Sequence, residues 1–256
     1  MIKKNKTKID SFFKKIKSNK PVLGTFIQIP SNDNVEIISQ NNYDWIALDV
    51  EHGLIDTSNI VDLIRIIDNS NSLPIIRLGE STELECKKVM DAGALGVIAP
   101  MIKNADDIKK IINFCSWPPK GKRGVGFSRV SNYGKNFNEY SKVLSQSPIV
   151  IPMIENVESV NNLDEILNLK EIQIFFIGPY DLSSSLGVPG QFTSRLYKNT
   201  IKEIKDKILK KNKFCGIHVV EPNEKLLRQT IRENFKFIAY SLDSVFLRNS
   251  SINPLS

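Results

Sequence analysis

A histidine and two carboxylates stand together where an apolar segment of the chain ends. Asp49, Glu51 and His52 follow the apolar residues 45–48, and the chain of 256 residues contains only two histidines. An imidazole held by a carboxylate takes up and releases a proton near neutral pH. The cluster therefore predicts general acid–base chemistry at the end of a buried strand.

Three more charged side chains lie at the ends of other apolar segments: Arg77, Glu155 and Asp181. Two carboxylates from neighbouring strands suit a hard divalent cation such as Mg²⁺ or Mn²⁺, which keeps positions open for water and substrate oxygens. Either carboxylate could instead cap a helix or form a salt bridge. Arg77 could pair with one of them, or its planar guanidinium could bind a substrate carbonyl or carboxylate.

A turn comes just before the last of these carboxylates. Gly178 and Pro179 predict a turn that leads into a helix near Leu182. The first backbone amides of a helix have no partner within that helix, and they favour negative charge. The amides around Tyr180 and Asp181 are therefore expected to bind an anion such as a substrate carboxylate.

Strands and helices alternate regularly along the chain. Continuous apolar runs rich in β-branched residues are typical of parallel strands covered on both faces. We predict eight such strands, at residues 22–29, 45–50, 74–78, 96–101, 149–154, 173–178, 214–219 and 235–241. Amphipathic helices lie between them, with apolar faces that include Ile60, Leu63, Ile64 and Ile67; Ile108, Ile111 and Ile112; Ile201, Ile204 and Ile208; and Leu226, Leu227 and Ile231.

Eight strands, each followed by a helix or a helical turn, predict an α/β fold with one (β/α)8 TIM barrel domain over residues 1–256. Such a barrel gathers the carboxyl ends of its strands at one mouth, which would bring the charged side chains together. A doubly wound open sheet is the competing fold. No glycine-rich dinucleotide fingerprint follows the first strand to support it.

Local signals predict where several helices begin. Ser81, Asn104 and Asn156 precede acidic residues, as N-caps commonly do. An apolar stripe over residues 9–16 has helical spacing with lysines opposite, which predicts an N-terminal helix that closes the bottom of the barrel. A helix on a membrane surface is the alternative interpretation of this segment.

Composition argues against several classes of protein. Apolar residues make up 41% and charged residues 25%, as in ordinary soluble globular proteins, and no apolar run reaches the length of a membrane span. The net charge is +7, but the lysines are scattered and aromatic residues do not alternate with them, so nucleic-acid binding is not expected.

The cysteines and the N-terminus favour a cytoplasmic protein. Cys86, Cys115 and Cys215 lie far apart and form no CxxC pair, which indicates reduced thiols rather than disulfides or a zinc site. The basic N-terminus lacks the apolar region of a secretory signal.

With these residues placed, the chain resembles the HpcH/HpaI aldolase/citrate lyase family. The matching motifs cover most of residues 22–190: LGTF at 23–26, DWIALDVEHG at 44–53, PIIRL at 74–78, DAGALGVIAPMI at 91–102, PPKGKRGVG at 118–126, PMIEN at 152–156 and FIGPYDLSSSLG at 176–187. Beyond residue 190 the resemblance is limited to GIHV at 216–219 and FIAYSLDS at 237–244.

The resemblance implies a (β/α)8 barrel that assembles as a homo-oligomer, a hexamer built as a trimer of dimers. It implies a class II, metal-dependent aldolase that reversibly cleaves a 2-keto-3-deoxy sugar acid or a 4-hydroxy-2-oxo acid into pyruvate and an aldehyde. The implied cofactor is Mg²⁺, Mn²⁺ or Co²⁺, without an organic cofactor. No lysine occupies a recognisable Schiff-base position, which agrees with the metal route.

Site residues are carried over position by position. Glu155 and Asp181 match the family's metal ligands, and Arg77 matches the arginine that contacts the pyruvate keto oxygen. The amides around Tyr180 and Asp181 match the site for the substrate carboxylate. These matches imply that the metal and Arg77 stabilise the negative charge that develops on the keto oxygen.

The acid–base pair of the family matches His52 with Asp49, and Asp49 is expected to fix the tautomer of the imidazole. Glu51 is then not needed for the chemistry and is expected to support the structure. Two alternatives stay open: a citrate-lyase-like enzyme that cleaves an acyl-CoA of the malyl-CoA type, and a non-catalytic barrel that binds an anionic metabolite.

The chain departs from the family pattern near the expected substrate. Met153 stands where many members have a glutamine, and Tyr180 replaces an alanine of several members, so the identity of the aldehyde is open. His218 is either a structural histidine or a pocket residue for a polyhydroxy or acidic aldehyde. The long irregular segment 116–136 is a candidate lid or interface loop. Its Arg123 and Arg129 either bind a substrate anion or brace the loop or a subunit interface.

Overall fold

A closed barrel of eight parallel strands forms the centre of the protein in a computed structural model. The structure describes residues 2–143, 145 and 148–255. Each strand pairs with its neighbours in sequence and the last closes on the first: β1 Val22–Ile27, β2 Trp45–Asp49, β3 Leu73–Arg77, β4 Gly96–Ala99, β5 Ile149–Ile154, β6 Ile174–Ile177, β7 Phe214–Val219 and β8 Phe237–Leu242. The predicted (β/α)8 barrel is confirmed, and the open sheet is wrong.

Helices surround the barrel. Within the described residues they are α1 Ile2–Lys17, α2 Asn32–Ser39, α3 Ile60–Asn69, α4 Glu83–Ala92, α5 Ala105–Cys115, α6 Phe137–Val143, α7 Val157–Asn161, α8 Leu163–Ile166, α9 Pro179–Ser185, α10 Arg195–Lys210, α11 Glu224–Arg232 and α12 Asp243–Ser250. Over the same residues, no helix combines the length and the hydropathy that crossing a membrane requires.

Alternate residues of each strand face two different apolar layers, as the pleat of a strand requires. In β2, for example, Ile46 and Leu48 pack in the layer beneath the helices, whereas Trp45 and Ala47 pack inside the barrel. Helix α1 closes the bottom of the barrel, as predicted, because its Phe12 joins the inner cluster. This packing leaves the opposite end of the barrel for polar side chains.

β1 ends where a side chain, and not a neighbouring strand, accepts the hydrogen bonds of the backbone. β1 ends at Ile27, two residues earlier than predicted, because the amides of Gln28 and Ile29 donate to the carboxylate of Asp243, each at 2.9 Å. The strands at 149–154 and 214–219 match the prediction fully, and the other predicted bounds are wrong by at most two residues.

Two of the three predicted N-caps are confirmed. The side chains of Asn104 and Asn156 accept hydrogen bonds from backbone amides in the first turns of α5 and α7. Ser81 is wrong as a cap, because Thr82 caps α4 by accepting from the amide of Glu85 at 3.2 Å. The amide of Ser81 instead donates to the Glu85 carboxylate at 2.8 Å.

The seam between β8 and β1 has an irregular register. Gly24 pairs with Ala239, and the next pair is Phe26 with Leu242. One residue of β1 therefore lies opposite two residues of β8, so β8 contains one extra residue. Ser241 adopts a left-handed φ of 56° there. Its carbonyl accepts from the hydroxyl of Thr25 at 3.2 Å and contacts the ring nitrogen Nε2 of His218 at 3.1 Å.

The arginines of the segment 116–136 brace the loop instead of facing the mouth. Arg129 binds the Asp68 carboxylate at 2.5 Å and the carbonyl of Ala92 at 3.1 Å, which joins the loop to α3 and α4. Arg123 is buried and donates to the hydroxyl of Tyr140 at 2.7 Å. These contacts support the interpretation that the two arginines brace the loop.

We expect Gly24→Ala to lower the free energy of unfolding by about 3 kcal/mol, because overpacking a filled core forces its neighbours to move. The added Cβ would lie 2.0 Å from the Trp45 ring. That ring is stacked on Phe237, with a centroid distance of 4.3 Å and an interplanar angle of 8°. Urea denaturation measures the change.

Gly126→Ala is the matched control, since an added Cβ at Gly126 meets no atom within 4 Å. We expect this control to change the free energy of unfolding by less than about 0.5 kcal/mol. Equal losses in the two variants would contradict the packing argument.

Candidate active site

The charged side chains predicted from the sequence meet at the carboxyl ends of the strands. Asp49 and Arg77 are the last residues of β2 and β3. Glu155 directly follows β5, and Asp181 lies in the first turn of α9, which follows β6. Asp49, Arg77 and Glu155 are buried, whereas Asp181 is exposed.

A buried ion pair joins Asp49 to Arg77. Arg77 Nε donates to Asp49 Oδ1 at 2.8 Å and Nη2 donates to Oδ2 at 2.6 Å, so both oxygens are bound in the bidentate geometry that a guanidinium favours. Burial tends to raise the pKa of Asp49, but the hydrogen bonds and charge of Arg77 bring it below the usual value. Asp49 is therefore ionised at neutral pH.

The Asp49 carboxylate contacts the backbone of His52, whereas the prediction was a contact with the His52 ring. Asp49 Oδ1 accepts from the backbone amides of Glu51 and His52, at 3.2 and 3.1 Å. The imidazole points elsewhere: its side chain is 56% exposed, and Nε2 lies 3.8 Å from the Glu51 carboxylate. Asp49 shapes the turn that carries His52, because its two oxygens are occupied by Arg77 and by backbone amides.

Glu51 belongs to the site, contrary to the expectation that it only supports the structure. Its carboxylate lies 3.3 Å from Arg77 Nη1 and faces the ring of His52. Burial raises the pKa of Glu51, and the negative charges of Asp49 and Asp181 add to this effect while Arg77 and His52 oppose it. Glu51 thus links the ion pair to the other carboxylates.

Glu155 is buried with little to balance its charge. It is 2% exposed, and its Oε1 accepts from the backbone amide of Met101 at 2.5 Å. Burial raises the pKa of Glu155 to about 7; the charges of Glu51 and Asp181 add to the shift, while the Met101 hydrogen bond opposes it. β4 ends at Ala99, two residues before the predicted position, and Met101 has a left-handed φ of 54° where its amide meets this oxygen.

A glycine makes room for the Glu155 carboxylate. A Cβ added to Gly178 would lie 2.6 Å from Glu155 Oε2 and 3.0 Å from the terminal carbon of Met153. Met153 itself is 2% exposed and lies in the inner cluster of the barrel. Met153, which was expected near the substrate, thus places apolar surface next to Glu155, and its contact with a substrate stays a prediction.

Tyr180 lies at the rim of the site in the first turn of α9. Its side chain is 48% exposed, and its ring packs edge-on against Phe192 at a centroid distance of 5.0 Å. Pro179 begins α9 and has no backbone N–H, so Tyr180 and Asp181 carry the amides of the first turn, which find no acceptor within a helix. Binding of a substrate carboxylate by these amides stays a prediction. Asp181 occupies the same turn, so its carboxylate adjoins those amides.

The carboxylate cluster of Glu51, Glu155 and Asp181 fits a divalent cation. The charges of Glu51 and Asp181 both raise the pKa of Glu155, and a cation would relieve the mutual repulsion. In the part of the chain that the structure describes, no three His, Cys, Asp or Glu side chains are arranged to hold a metal alone. Mg²⁺ in proteins is commonly bound by one or two carboxylates, with water and substrate oxygens as the remaining ligands.

His218 projects from β7 into the inner part of the barrel. Its ring packs against Phe26 at a centroid distance of 5.1 Å, and Nε2 contacts the carbonyl of Ser241 at 3.1 Å. Because a carbonyl only accepts hydrogen bonds, Nε2 carries the proton and Nδ1 is an acceptor. Burial lowers the pKa of His218 to about 4, so the ring is neutral at pH 7.

Two contributors to the site were not predicted. Met101 acts through its backbone amide, and no feature of its side chain indicates this role. Gln28 donates from Nε2 to Asp49 Oδ2 at 2.9 Å. Its position just beyond an apolar strand, like that of Glu155, is the signal that could have identified it.

Comparison with known proteins identifies a family. The family model described as HpcH/HpaI aldolase/citrate lyase matches residues 23–250. A hydroxypyruvate/pyruvate aldolase of Roseobacter denitrificans is 28% identical over 244 residues, with 94% of each chain covered. A 4-hydroxy-2-oxo-heptane-1,7-dioate aldolase of Shigella flexneri is 26% identical, with 94% of this chain and 90% of the relative covered.

Solved structures agree on the fold. An HpcH/HpaI aldolase/citrate lyase family protein from Burkholderia cenocepacia superposes with a TM-score of 0.86 at 24% identity, covering 91% of this chain and 92% of that chain. An HpcH/HpaI aldolase from Desulfitobacterium hafniense gives a TM-score of 0.83 at 22% identity, with 92% of each chain covered. The chain belongs to the HpcH/HpaI aldolase/citrate lyase family.

Proposed function

We propose that the protein is a class II, metal-dependent aldolase. It is a carbon–carbon lyase that reversibly cleaves a 2-keto-3-deoxy sugar acid or a 4-hydroxy-2-oxo acid into pyruvate and an aldehyde. The observation that carries the proposal is the carboxylate cluster facing the guanidinium of Arg77 at the mouth of the barrel. The aldolase names of the relatives support it.

Glu155 and Asp181 would hold the cation, for which Mg²⁺, Mn²⁺ and Co²⁺ are the candidates. When bound, the cation supplies positive charge beside the keto oxygen of the substrate, where negative charge develops as the carbon–carbon bond breaks. Glu155 suits this role because burial and repulsion disfavour its charge in the absence of a cation. Glu51 adds negative charge without being needed as a ligand.

Arg77 and helix α9 would orient the pyruvate part of the substrate. The Nε and Nη2 groups of Arg77 are held by Asp49, which leaves Nη1, shared with Glu51, to reach the keto oxygen. The backbone amides of Tyr180 and Asp181 would bind the carboxylate. Their position beside the Asp181 side chain supports a substrate that bridges the helix and the cation.

His52 would move the proton. Cleavage requires a base for the hydroxyl at C4 and then an acid for C3 of the pyruvate, and an imidazole can serve as both. The His52 ring is exposed, so it can reach a substrate at the mouth, and its Nε2 lies 3.8 Å from the Glu51 carboxylate. Asp49 would act indirectly, by holding the turn that carries His52.

Assembly and location are part of the proposal. The family resemblance supports a homo-oligomer, a hexamer in particular, and one barrel domain over residues 1–256. Three buried, unpaired thiols support the reducing environment of the cytoplasm.

We expect the purified protein with Mg²⁺, Mn²⁺ or Co²⁺ to exchange the methyl protons of pyruvate for deuterium. Exchange should stop on addition of EDTA and return with excess metal, because the charge on the keto oxygen is otherwise unstabilised. Proton NMR of pyruvate in D₂O measures the rate. Absence of exchange with all three metals would rule out the proposed function.

Two substitutions separate the proton carrier from the metal ligand. We expect His52→Ala to reduce exchange about 100-fold or more while metal affinity stays within about threefold, since the ring acts in general acid–base catalysis. Glu155→Gln should weaken metal binding more than tenfold, because it removes one of two charged ligands. Calorimetric titration with Mn²⁺ measures affinity, and an unchanged affinity in Glu155→Gln would assign the metal elsewhere.

His218 would recognise the aldehyde part of the substrate through Nδ1, which can only accept a hydrogen bond from a group such as a hydroxyl. This role requires a neutral ring. Its lowered pKa of about 4 means that only the unfolded state binds a proton between pH 6.5 and 4, so stability falls as the pH falls through this window.

We therefore expect the free energy of unfolding of the wild type, minus that of His218→Leu, to fall by up to about 1.4 kcal/mol per pH unit as the pH falls from 6.5 to 4. The same difference should be constant from pH 7 to 9, which serves as the internal control. Urea denaturation at each pH measures it. A constant difference across the acidic range would show that folding does not lower the pKa of His218.

A further inference from the structure

A hydrogen-bonded bridge joins the Asp49–Arg77 ion pair to α12, the helix that follows the last strand of the barrel. Gln28 lies just beyond β1, and its Nε2 donates to Asp49 Oδ2 at 2.9 Å. At the other end of the same amide, Gln28 Oε1 accepts from the hydroxyl of Ser244 at 3.1 Å. The side chain of Gln28 therefore spans the distance between β2 and α12.

The direction of the amide is fixed by its partners. Asp49 is ionised and only accepts hydrogen bonds, so the Gln28 nitrogen must face it. The Ser244 hydroxyl can then donate to the Gln28 oxygen. Rotating the amide would place its oxygen against the carboxylate and lose the hydrogen bond to Asp49, so this glutamine has one favourable orientation.

The backbone of Gln28 is anchored as firmly as its side chain. The buried carboxylate of Asp243 accepts from the amides of Gln28 and Ile29 at 2.9 Å, from Asn34 Nδ2 at 2.6 Å and from the amide of Ser244 at 2.8 Å. These four hydrogen bonds satisfy a carboxylate that is 2% exposed. Asp243 thus fixes both Gln28 and Ser244 with respect to β8.

Gln28 and Arg77 share one oxygen of Asp49. Oδ2 receives Gln28 Nε2 at 2.9 Å and Arg77 Nη2 at 2.6 Å, so the amide limits how the carboxylate can rotate. The bidentate guanidinium must follow the plane of that carboxylate. A displacement of the carboxylate would therefore move Nη1, the group of Arg77 left for the substrate.

We propose that Gln28 is a positioning residue, which sets the orientation of Arg77 through Asp49. The hydrogen-bond partners of its side chain are Asp49 and Ser244, and neither belongs to the carboxylate cluster. The inference rests on the proposed function in one respect: the effect of a displaced Arg77 is measured as a change in the rate of pyruvate exchange. Small displacements of a positioned group reduce rates strongly, since the reacting geometry is narrow.

The test compares Gln28→Met with Gln229→Met. Methionine has a similar length and forms neither hydrogen bond. Gln229 is the matched control, because its Nε2 also donates to a carboxylate, that of Glu233 at 2.8 Å, on the exposed face of α11. We expect Gln28→Met to lower the pyruvate exchange rate at saturation by about 10- to 100-fold, with KM within about threefold, and Gln229→Met to match the wild type.

A double-mutant cycle with Arg77→Lys separates positioning from general loss of structure. If Gln28 acts through Arg77, adding Gln28→Met to Arg77→Lys should reduce the rate by less than about threefold. The same large loss in both backgrounds would overturn the proposal. Ser244→Ala, which removes only the far end of the bridge, should give a smaller loss in the same direction and serves if Gln28→Met does not fold.

Crystal structures of the wild type and Gln28→Met give a readout that does not depend on activity. We expect the Asp49 carboxylate and the Arg77 guanidinium to rotate together in the variant. An unchanged Arg77 with an unchanged exchange rate would overturn the positioning role. A wild type that fails to exchange pyruvate would instead reject the proposed function, and the crystal structures would still decide the role of Gln28.

Discussion

The buried ion pair between Asp49 and Arg77 is the interaction on which the mouth of the barrel depends. Removing either partner would leave an uncompensated charge beneath the site, which costs several kcal/mol, whereas the intact pair has both carboxylate oxygens bound. The pair also has geometric consequences. Asp49 holds the turn that carries Glu51 and His52, and Arg77 presents its remaining nitrogen toward the carboxylate cluster.

Opposite electrostatic conditions therefore lie side by side. Asp49 has its charge stabilised by a guanidinium, and its pKa lies below the usual value. Glu155 is equally buried but has chiefly one backbone amide to stabilise it, and its pKa rises to about 7. A carboxylate is thus a permanent structural anion at the end of β2 and a poorly stabilised one just after β5. Burial alone does not distinguish them; the identity of the hydrogen-bond donor does.

The sequence was sufficient for the fold and for most members of the site, because both depend on strand spacing. Apolar runs predict eight strands, and the carboxyl ends of parallel strands meet at one mouth, which brings Asp49, Arg77 and Glu155 together. Spacing does not specify side-chain direction. The His52 ring therefore lies near Glu51 and not, as predicted, against Asp49. Met101 contributes through a left-handed backbone conformation, which its residue type does not indicate.

The bridge of Gln28 to α12 has a consequence for folding. The contacts that orient the site join residues 28 and 243, which are separated by 215 positions in the chain. Contacts between such distant residues are typically formed late, since closing a long loop costs entropy before any contact compensates for it. A chain whose other strands have assembled but whose last strand has not docked would hold all the proposed metal ligands without an oriented Arg77. Recovery of activity during refolding would then report closure of the barrel, later than recovery of metal binding.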